Sequence, residues 1–254
     1  MKKEIIQDLV DKNYSTRQIA KELNCSYSNI RYWMKKYQLE TTEIGGKAGQ
    51  KLESDIDIYN RCLDFVAKKP KDYSYLFGLY LGDGCVEYVK GNCHVLSIHQ
   101  DAKYTNLINK HKESIINLFG KPPYILNRGN MTVIRVSGSH VRFLFPKYGK
   151  GMKHLNKVTL PKILLDNIDY LNLMKGLFQA DGSYYYDTQA KKHFFNFTNK
   201  SEDIIEIFKF CLEKLSVGYT ISKRKITSIY SLSIRRKSEV DKMLELIGTK
   251  KDPK

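Results

Sequence analysis

The sequence predicts an α+β protein, in which two similar half-domains follow a small all-helical domain at the N-terminus. The main observation is an internal repeat, because residues 76–84 (LFGLYLGDG) and residues 174–182 (MKGLFQADG) both describe an apolar helix that ends in Asp-Gly. The same order of predicted elements follows each copy. The separate N-terminal domain is indicated by the helical spacing of the apolar residues in the first 37 residues.

The first 40 residues predict a helix-turn-helix domain, with helices over residues 3–12, 16–23 and 26–37. Ser15 and Gln18 form a capping box at the second helix, because the serine hydroxyl can accept from the Gln18 amide while the glutamine side chain reaches back. The small Ala20 lies where two helices must approach closely. Asn24 occupies the turn, where a left-handed backbone is often required. This spacing is typical of a helix-turn-helix.

The third helix is the predicted recognition helix, with Ile30 and Trp33 expected on its inner face. Its outward side chains carry amide, hydroxyl and cationic groups that suit base edges and phosphates. The candidate DNA contacts are Tyr27, Ser28, Asn29, Arg31, Tyr32 and Lys35. The alternative is a three-helix bundle that serves protein contacts or acts as a cap.

The chain is strongly basic, with 43 Lys and Arg against 27 Asp and Glu among 254 residues and a formal charge of +16. This charge favours a polyanionic partner, and nucleic acid is a better candidate than a membrane. No apolar run approaches the ~18 to 20 residues of a spanning helix, and charged residues occupy the N-terminus where a signal peptide would be apolar. The five scattered cysteines contain no C-x-x-C pair and are expected to be reduced. We therefore expect a cytoplasmic, organellar or nucleoid-associated protein that is not secreted.

The repeat predicts two half-domains with the same order of elements. In the first, a strand, a helix, two strands and a helix are indicated at residues 94–99, 103–119, 124–127, 132–136 and from residue 139. In the second, the same elements are indicated at residues 193–198, 201–215, 219–222, 229–234 and 237–247. The predicted boundaries are 1–40 for the helix-turn-helix, 41–71 for a linker with one helix, 72–148 for the first half-domain, 149–169 for a connector and 170–254 for the second half-domain.

Small residues on the two repeated helices predict a close crossing. Gly78 and Gly82 lie four positions apart in the first helix, and Gly176 and Ala180 occupy the same places in the second. Small residues at this spacing line one face of a helix and let a partner backbone approach. The residues then expected to face the two cores are Leu76, Leu79, Met174, Leu177 and Phe178.

The same crossing would bring Asp83 and Asp181 together. Each carboxylate opposes its helix dipole at a cost of some tenths to about 1 kcal/mol, and two close anions repel unless cations lie between them. Together with the C-terminal carbonyl oxygens of Gly82 and Ala180, they form an oxygen site suited to Mg²⁺, for which Mn²⁺ is expected to substitute. Such metals can activate water against a phosphodiester. The alternative is that each Asp-Gly pair only closes its helix into a turn.

Both motif segments resemble those of the LAGLIDADG homing endonucleases, and the similarity covers about residues 73–250. The resemblance implies a monomer of two pseudo-symmetric αββαββα half-domains, with the motif helices at their interface and antiparallel sheets that form a saddle over the DNA major groove. It also implies a metal-dependent endonuclease, a phosphodiester hydrolase that cuts both strands of a long double-stranded site and leaves short 3′ overhangs. By motif position, Asp83 and Asp181 take the metal-binding role.

Further roles follow from the resemblance. A polar residue on the first strand after each motif is implied to position the attacking water, and alignment of His94 with His193 places Ser97 and Asn196 there. A lysine after the last helix of each half is also implied, and the candidates are Lys153, Lys157, Lys250 and Lys251. The candidates on the saddle strands for phosphates and base edges are Arg128, Arg135, Lys223, Arg224, Lys225 and Arg235. Each of these has the alternative of an ordinary solvated residue.

Three functions remain open at this point. The first is a site-specific endonuclease of homing type, with the helix-turn-helix extending its footprint to flanking DNA. The second is a DNA-binding regulator without cleavage, and the third is an RNA maturase on the same fold. Retention of both motif aspartates favours the first. The chain has no splicing nucleophile at its start and no terminal His-Asn, so we expect a freestanding enzyme rather than an intein.

Overall fold

The computed structural model describes residues 2–12, 14–39, 54–89, 93–149, 152–224 and 228–250. They belong to two compact units, Met1–Glu53 and Ser54–Lys254. Residues 41–53 of the predicted linker lie outside the described residues. The finer domain boundaries stay predictions.

The first unit folds as the predicted set of helices, α1 (Lys3–Asp11), α2 (Thr16–Glu22) and α3 (Tyr27–Tyr37). The capping box is present, because the Ser15 hydroxyl accepts from Gln18 N and the Ser15 backbone N donates to Gln18 Oε1 at 2.8 Å. Asn24 adopts the left-handed backbone expected at the turn, with a φ of 44°. The buried core of this unit consists of Ile6, Leu9, Ile19, Ala20, Ile30 and Met34.

The inner face of α3 needs one correction. Ile30 is fully buried as expected, but Met34 takes the second inner position. Trp33 packs only at the edge of the core, where its ring stacks on Tyr37 with centroids 5.4 Å apart. The physical reason is the helical repeat, since residues four apart lie more nearly on one face than residues three apart do in this short helix.

The second unit contains the predicted αββαββα order twice. The first half-domain consists of α5 (Pro70–Asp83), β1 (Gly84–Val89), β2 (Cys93–Asp101), α6 (Thr105–Phe119), β3 (Tyr124–Arg128), β4 (Met131–Gly138) and α7 (Val141–Leu144). The second consists of α9 (Tyr170–Asp181), β5 (Gly182–Asp187), β6 (Lys192–Asn199), α10 (Glu202–Lys214), β7 (Thr220–Lys223), β8 (Tyr230–Ile234) and α11 (Lys237–Ile247). Helix α4 (Asp55–Lys68) precedes them, and the connector contains a 3₁₀ turn (Lys153–Leu155) and α8 (Lys162–Leu165).

Each half-domain has one antiparallel four-stranded sheet, with the orders β1-β2-β4-β3 and β5-β6-β8-β7. Strands β1 and β5 were not located from the sequence. They follow the motif helices directly and are mostly exposed towards their outer ends, so they lack the apolar alternation that marks a strand. Ser97 and Asn196 therefore lie on the second strand after each motif helix and not, as predicted, on the first.

Helix α4 packs as part of the second unit. Its residues Ile58, Cys62 and Val66 are buried in the same apolar cluster as the two half-domains. The helix ends at Lys68, and Pro70 begins α5 at a position where the missing backbone N–H costs nothing. The chain thus enters the first motif helix directly from a packed helix.

The two motif helices cross with their backbones in contact, as predicted. A Cβ atom placed on Gly78 would lie 2.4 Å from Leu173 O, and one placed on Gly176 would lie 2.1 Å from Tyr75 O. Neither position has room for a methyl group. The five apolar residues predicted to face the cores are all buried, namely Leu76, Leu79, Met174, Leu177 and Phe178.

Substitution of Gly176 by Ala is expected to destabilise the second unit by about 2–3 kcal/mol, because the added methyl must separate two backbones. The measurement is urea unfolding of the wild type and the variant. Gly218→Ala is the matched control, since a Cβ there meets Glu239 Cδ at an ordinary 3.5 Å. Equal losses in the two variants would contradict the crossing as the source of the effect.

Candidate metal and nucleic-acid site

The two motif helices place their terminal carboxylates at the same end of the crossing. A Cβ atom on Gly82 would lie 3.0 Å from Asp181 Oδ2, so the residue that precedes Asp83 touches the carboxylate of the other helix. The charge of Asp83 also raises the pKa of Asp181. The structure therefore brings together the two aspartates that the sequence singled out.

The glycine after each aspartate permits an abrupt change from helix to strand. Helix α5 ends at Asp83 and β1 begins at Gly84, and the same junction occurs at Asp181 and Gly182. A Cβ on Gly84 would lie 2.6 Å from Tyr80 Cα, and a Cβ on Gly182 would lie 2.1 Å from Phe178 Cδ2. The Asp-Gly pairs consequently start strands and do not form the turns of the alternative interpretation.

The surroundings of both carboxyl groups raise their pKa and so disfavour the ionised form. Burial is the main cause that raises the pKa of Asp83, opposed by the charges of Lys250 and Lys153. Burial and then the charge of Asp83 raise the pKa of Asp181 to about 6, against a hydrogen bond from Asn199 and the charges of the same two lysines. Two close, partly buried carboxylates repel each other when both are ionised, and a cation bound between them would stabilise the ionised forms.

Two of the candidate lysines lie beside the carboxylates. Lys153 Nζ donates to Gly84 O at 2.5 Å and also to Tyr80 O, and burial lowers its pKa to about 8. Lys250 Nζ donates to Ala180 O at 2.7 Å, and burial lowers its pKa as well. Lys157 instead forms an exposed ion pair with Asp203, with Nζ 2.6 Å from Oδ1. Lys251 lies outside the described residues.

The polar residues chosen on the strands have neighbours other than the two carboxylates. Ser97 is buried opposite Cys85 and Arg135 of the neighbouring strands. Asn196 Oδ1 accepts from the hydroxyl groups of Ser231 and Ser233 at 2.8 and 2.9 Å. Within the described residues, no hydrogen bond joins either side chain to Asp83 or Asp181, and their water-positioning role stays a prediction.

Sequence reasoning missed two amides three residues further along these strands. Asn199 Nδ2 donates to Asp181 Oδ2 at 2.8 Å. Gln100 lines a cavity of about 470 Å³ beside Asp83. The register pairs Gly84 with Ile98 and Gly182 with Phe197, so Gln100 and Asn199 occupy equivalent positions. An amide that interrupts the apolar, helix-facing side at the end of each strand is the signal that could have identified them.

The basic candidates on the sheets are partly engaged with neighbours. Arg135 forms an ion pair with Glu87 at 3.2 Å, and the Arg235 guanidinium lies 5.5 Å from the Phe194 ring centre. Lys223 Nζ donates to the Tyr230 hydroxyl at 2.7 Å. Arg128 is exposed and lines the cavity beside Asp83. Arg224 is exposed, whereas Lys225 lies outside the described residues.

The six candidates on α3 are all exposed, as a recognition helix requires: Tyr27, Ser28, Asn29, Arg31, Tyr32 and Lys35. Ser26 caps the helix, because its hydroxyl accepts from Asn29 N at 3.2 Å. The helix therefore presents a capped N-terminal turn with exposed side chains, which is the part that enters the major groove in helix-turn-helix proteins.

Two αββαββα halves around a glycine-lined helix crossing, with one carboxylate at the end of each helix, define the single-chain LAGLIDADG fold. Residues 169–248 match the family model of the LAGLIDADG-like domain, and residues 1–40 match that of a helix-turn-helix domain. The resemblance drawn from the two motifs is thereby confirmed. No significant match was found among curated protein sequences.

Solved structures agree with this fold. A structure of mesophilic variants of the homing endonuclease I-DmoI matches with a TM-score of 0.50 and 22% identity, over 70% of this chain and 95% of that chain. The crystal structure of I-DmoI in complex with DNA and Mn gives the same TM-score of 0.50 and 22% identity, over 70% of this chain and 96% of that chain. In the part of the chain described here, no helix has the length and apolar character needed to span a membrane.

The Asp181 carboxyl is expected to lower the stability of the metal-free protein as the pH rises from about 4 to about 7, because the folded state keeps the Asp181 proton while the unfolded state loses it. Burial lowers the pKa of His111 and of His140, and these histidines act in the opposite direction, so the Asp181 effect is read from the difference between the wild type and Asp181→Asn. The folded-state pKa is raised, so stability is lost on deprotonation. Asp181→Asn removes this loss and is expected to be more stable than the wild type by about 1–3 kcal/mol near pH 7.5.

Urea unfolding with a chelator, at pH values across this range, tests the expectation. Asp241→Asn, which neutralises an exposed carboxylate on α11, is the control. If Asp181→Asn and Asp241→Asn follow the wild-type pH dependence equally, the Asp181 carboxylate does not carry the effect.

Proposed function

We propose that this protein is a site-specific DNA endonuclease of homing type, which hydrolyses a phosphodiester in each strand with divalent metal held by Asp83 and Asp181. The observation that supports the proposal most directly is the pair of carboxylates at the ends of the crossing helices, with Lys153 and Lys250 beside them. The formal charge of +16 supports a DNA substrate. The fold likeness to I-DmoI, solved in complex with DNA and Mn, is consistent with it.

The donor set fits Mg²⁺, with Mn²⁺ as a substitute. Among the described residues, no group of three or more His, Cys, Asp or Glu side chains converges. A site with only two carboxylates suits Mg²⁺, which keeps several waters and takes further oxygen ligands from a substrate phosphate. The pKa of both aspartates is raised, and a bound cation would lower it again by stabilising the ionised carboxylates. The carbonyl oxygens of Gly82 and Ala180 are the proposed neighbouring donors, and Ala180 O also accepts from Lys250.

The bound metal would supply a water of lowered pKa and a positive charge at the phosphate. The residues of the chain then have separate tasks. Asn199 fixes the orientation of the Asp181 carboxylate through Oδ2. Lys153 and Lys250 place protonated amino groups next to the reacting phosphate, where they offset its charge. With a pKa of about 8, Lys153 is mostly protonated at neutral pH and can donate a proton to the leaving 3′ oxygen.

The sheets and α3 would hold the DNA. The proposed contacts on the sheets are Arg128, Arg135, Lys223, Arg224, Lys225 and Arg235, and α3 would contact flanking DNA through its six exposed candidates. A second DNA-binding unit on one chain raises the local concentration of the first at the target.

Asp83→Asn and Asp181→Asn are each expected to abolish double-strand cleavage and to leave DNA binding largely intact, because they remove a metal ligand while keeping the size of the side chain. The substrates are duplexes selected for binding from randomised DNA, incubated with Mg²⁺ or Mn²⁺. Cleavage is followed on gels and binding by electrophoretic mobility shift.

Lys157→Met is the matched control for Lys153→Met. We expect the Lys153 variant to lose most of its cleavage rate, whereas the Lys157 variant keeps it, because Lys157 pairs with Asp203 on the surface.

Normal cutting by either aspartate variant would contradict the metal assignment. Tight binding by the wild type without cleavage under any divalent metal would favour the DNA-binding regulator, and selective binding of RNA would favour the maturase.

Deletion of residues 1–45 is expected to weaken DNA affinity and shorten the footprint while leaving nicking at high protein concentration. The reason is that the helix-turn-helix supplies phosphate contacts but no part of the carboxylate pair. Footprinting and titrations of the deleted and full-length chains measure this. Unchanged affinity and footprint length would show that the first unit does not bind DNA.

A further inference from the structure

A buried chain of polar side chains crosses the interface between the two half-domains. The Tyr75 hydroxyl on α5 lies 2.9 Å from His111 Nδ1 on α6 and is hydrogen bonded to the side-chain amide of Gln179 on α9. His111 Nε2 lies 3.1 Å from Gln100 Oε1 on β2. The four side chains are buried, and none is more than 6% exposed.

The hydrogen bonds of this chain depend on one another. Burial lowers the pKa of His111 to about 3, so the neutral ring has one donor nitrogen and one acceptor nitrogen. The ring therefore donates at one end of the chain and accepts at the other, so the direction of the Tyr75 hydrogen bond and the orientations of the two terminal amides are set together.

Three of the four positions equivalent to this chain are apolar, and only Gln100 has a polar equivalent, Asn199. The motif aspartates align Tyr75 with Leu173 and Leu81 with Gln179, and the N-caps of α6 and α10 align His111 with Phe208. Phe208 is buried and stacks on Phe197 with ring centres 4.1 Å apart. The polar chain is therefore a difference between two halves that are otherwise built alike.

The two amides at the strand ends consequently have different partners. Asn199 donates to Asp181, whereas Gln100 lines the cavity beside Asp83 with its oxygen held by His111. Among the described residues, no side chain donates a hydrogen bond to the Asp83 carboxylate. One carboxylate is oriented by its own half-domain and the other is not.

We propose that Tyr75 and His111 are positioning residues that hold Gln100 away from Asp83, so that the two carboxylates differ in their hydrogen bonding and the two DNA strands are cut at unequal rates. This inference rests on the proposed endonuclease function. When the chain is broken, Gln100 is free to turn towards Asp83 and take the place that Asn199 has beside Asp181. The difference between the two cuts should then change.

The test measures the two nicking rates separately on one duplex labelled on both strands, with Mg²⁺ in excess. Tyr75→Phe deletes one oxygen from the chain, and His111→Phe introduces the residue type found at the equivalent position. Both variants should change the ratio of the two rates in the same direction by about three- to tenfold, the effect of one hydrogen bond. In a Gln100→Ala background, Tyr75→Phe should have no further effect on the ratio, because Tyr75 acts through Gln100.

Phe208→Leu is the matched control, because it alters a buried residue at the position equivalent to His111 without touching the polar chain. It should lower thermal stability and leave the ratio of the two rates unchanged. A wild-type ratio in both Tyr75→Phe and His111→Phe, or an equal change in Phe208→Leu, would overturn the proposal. If the wild type binds the duplex but cuts neither strand, the endonuclease proposal itself is overturned. This result comes from the wild type alone and is therefore distinct from any result on the variants.

Discussion

The contact between the backbones of α5 and α9 is the constraint on which the rest of the second unit depends. At Gly78 and Gly176 the helices are so close that only hydrogen fits between them. This approach joins the apolar residues of both halves into one buried cluster. It also fixes the separation of Asp83 and Asp181, because both carboxylates follow at the ends of the same helices. Packing and site geometry therefore have a single origin.

The site concentrates charges that the fold alone would not favour. Each of the two partly buried carboxylates lies at the C-terminal end of a helix, where the helix dipole is already negative. Lys153 and Lys250 oppose this by donating to backbone carbonyls at those helix ends, at Gly84 and Ala180. The lysines are themselves buried, and burial lowers the pKa of each. This is the arrangement that the proposed function would use to bind a cation and the phosphates of DNA.

The sequence predicted the parts of the site that depend on local pattern and missed the parts that depend on chain path or register. Glycine spacing and apolar periodicity lie within one helix, so the crossing and the carboxylate pair could be predicted. Lys153 and Lys157 are close in sequence, and only the path of the connector decides that one reaches the helix ends. Asn199 required the strand register, because an odd shift along β6 moves a side chain to the opposite face. Ser97 and Asn196 were chosen on that opposite face.

The single chain allows the interface to be symmetric in one part and asymmetric in another. In a dimer of identical subunits, every residue at the crossing occurs twice, so a hydrogen-bonded chain on one side is repeated on the other. Here the small residues that set the helix approach are repeated. The polar residues are not, because the positions equivalent to Tyr75, His111 and Gln179 are occupied by Leu173, Phe208 and Leu81. The repeated part determines that two carboxylates meet. The part that is not repeated holds Gln100 at His111 while Asn199 donates to Asp181, so equal architecture in the two halves does not require equal chemistry.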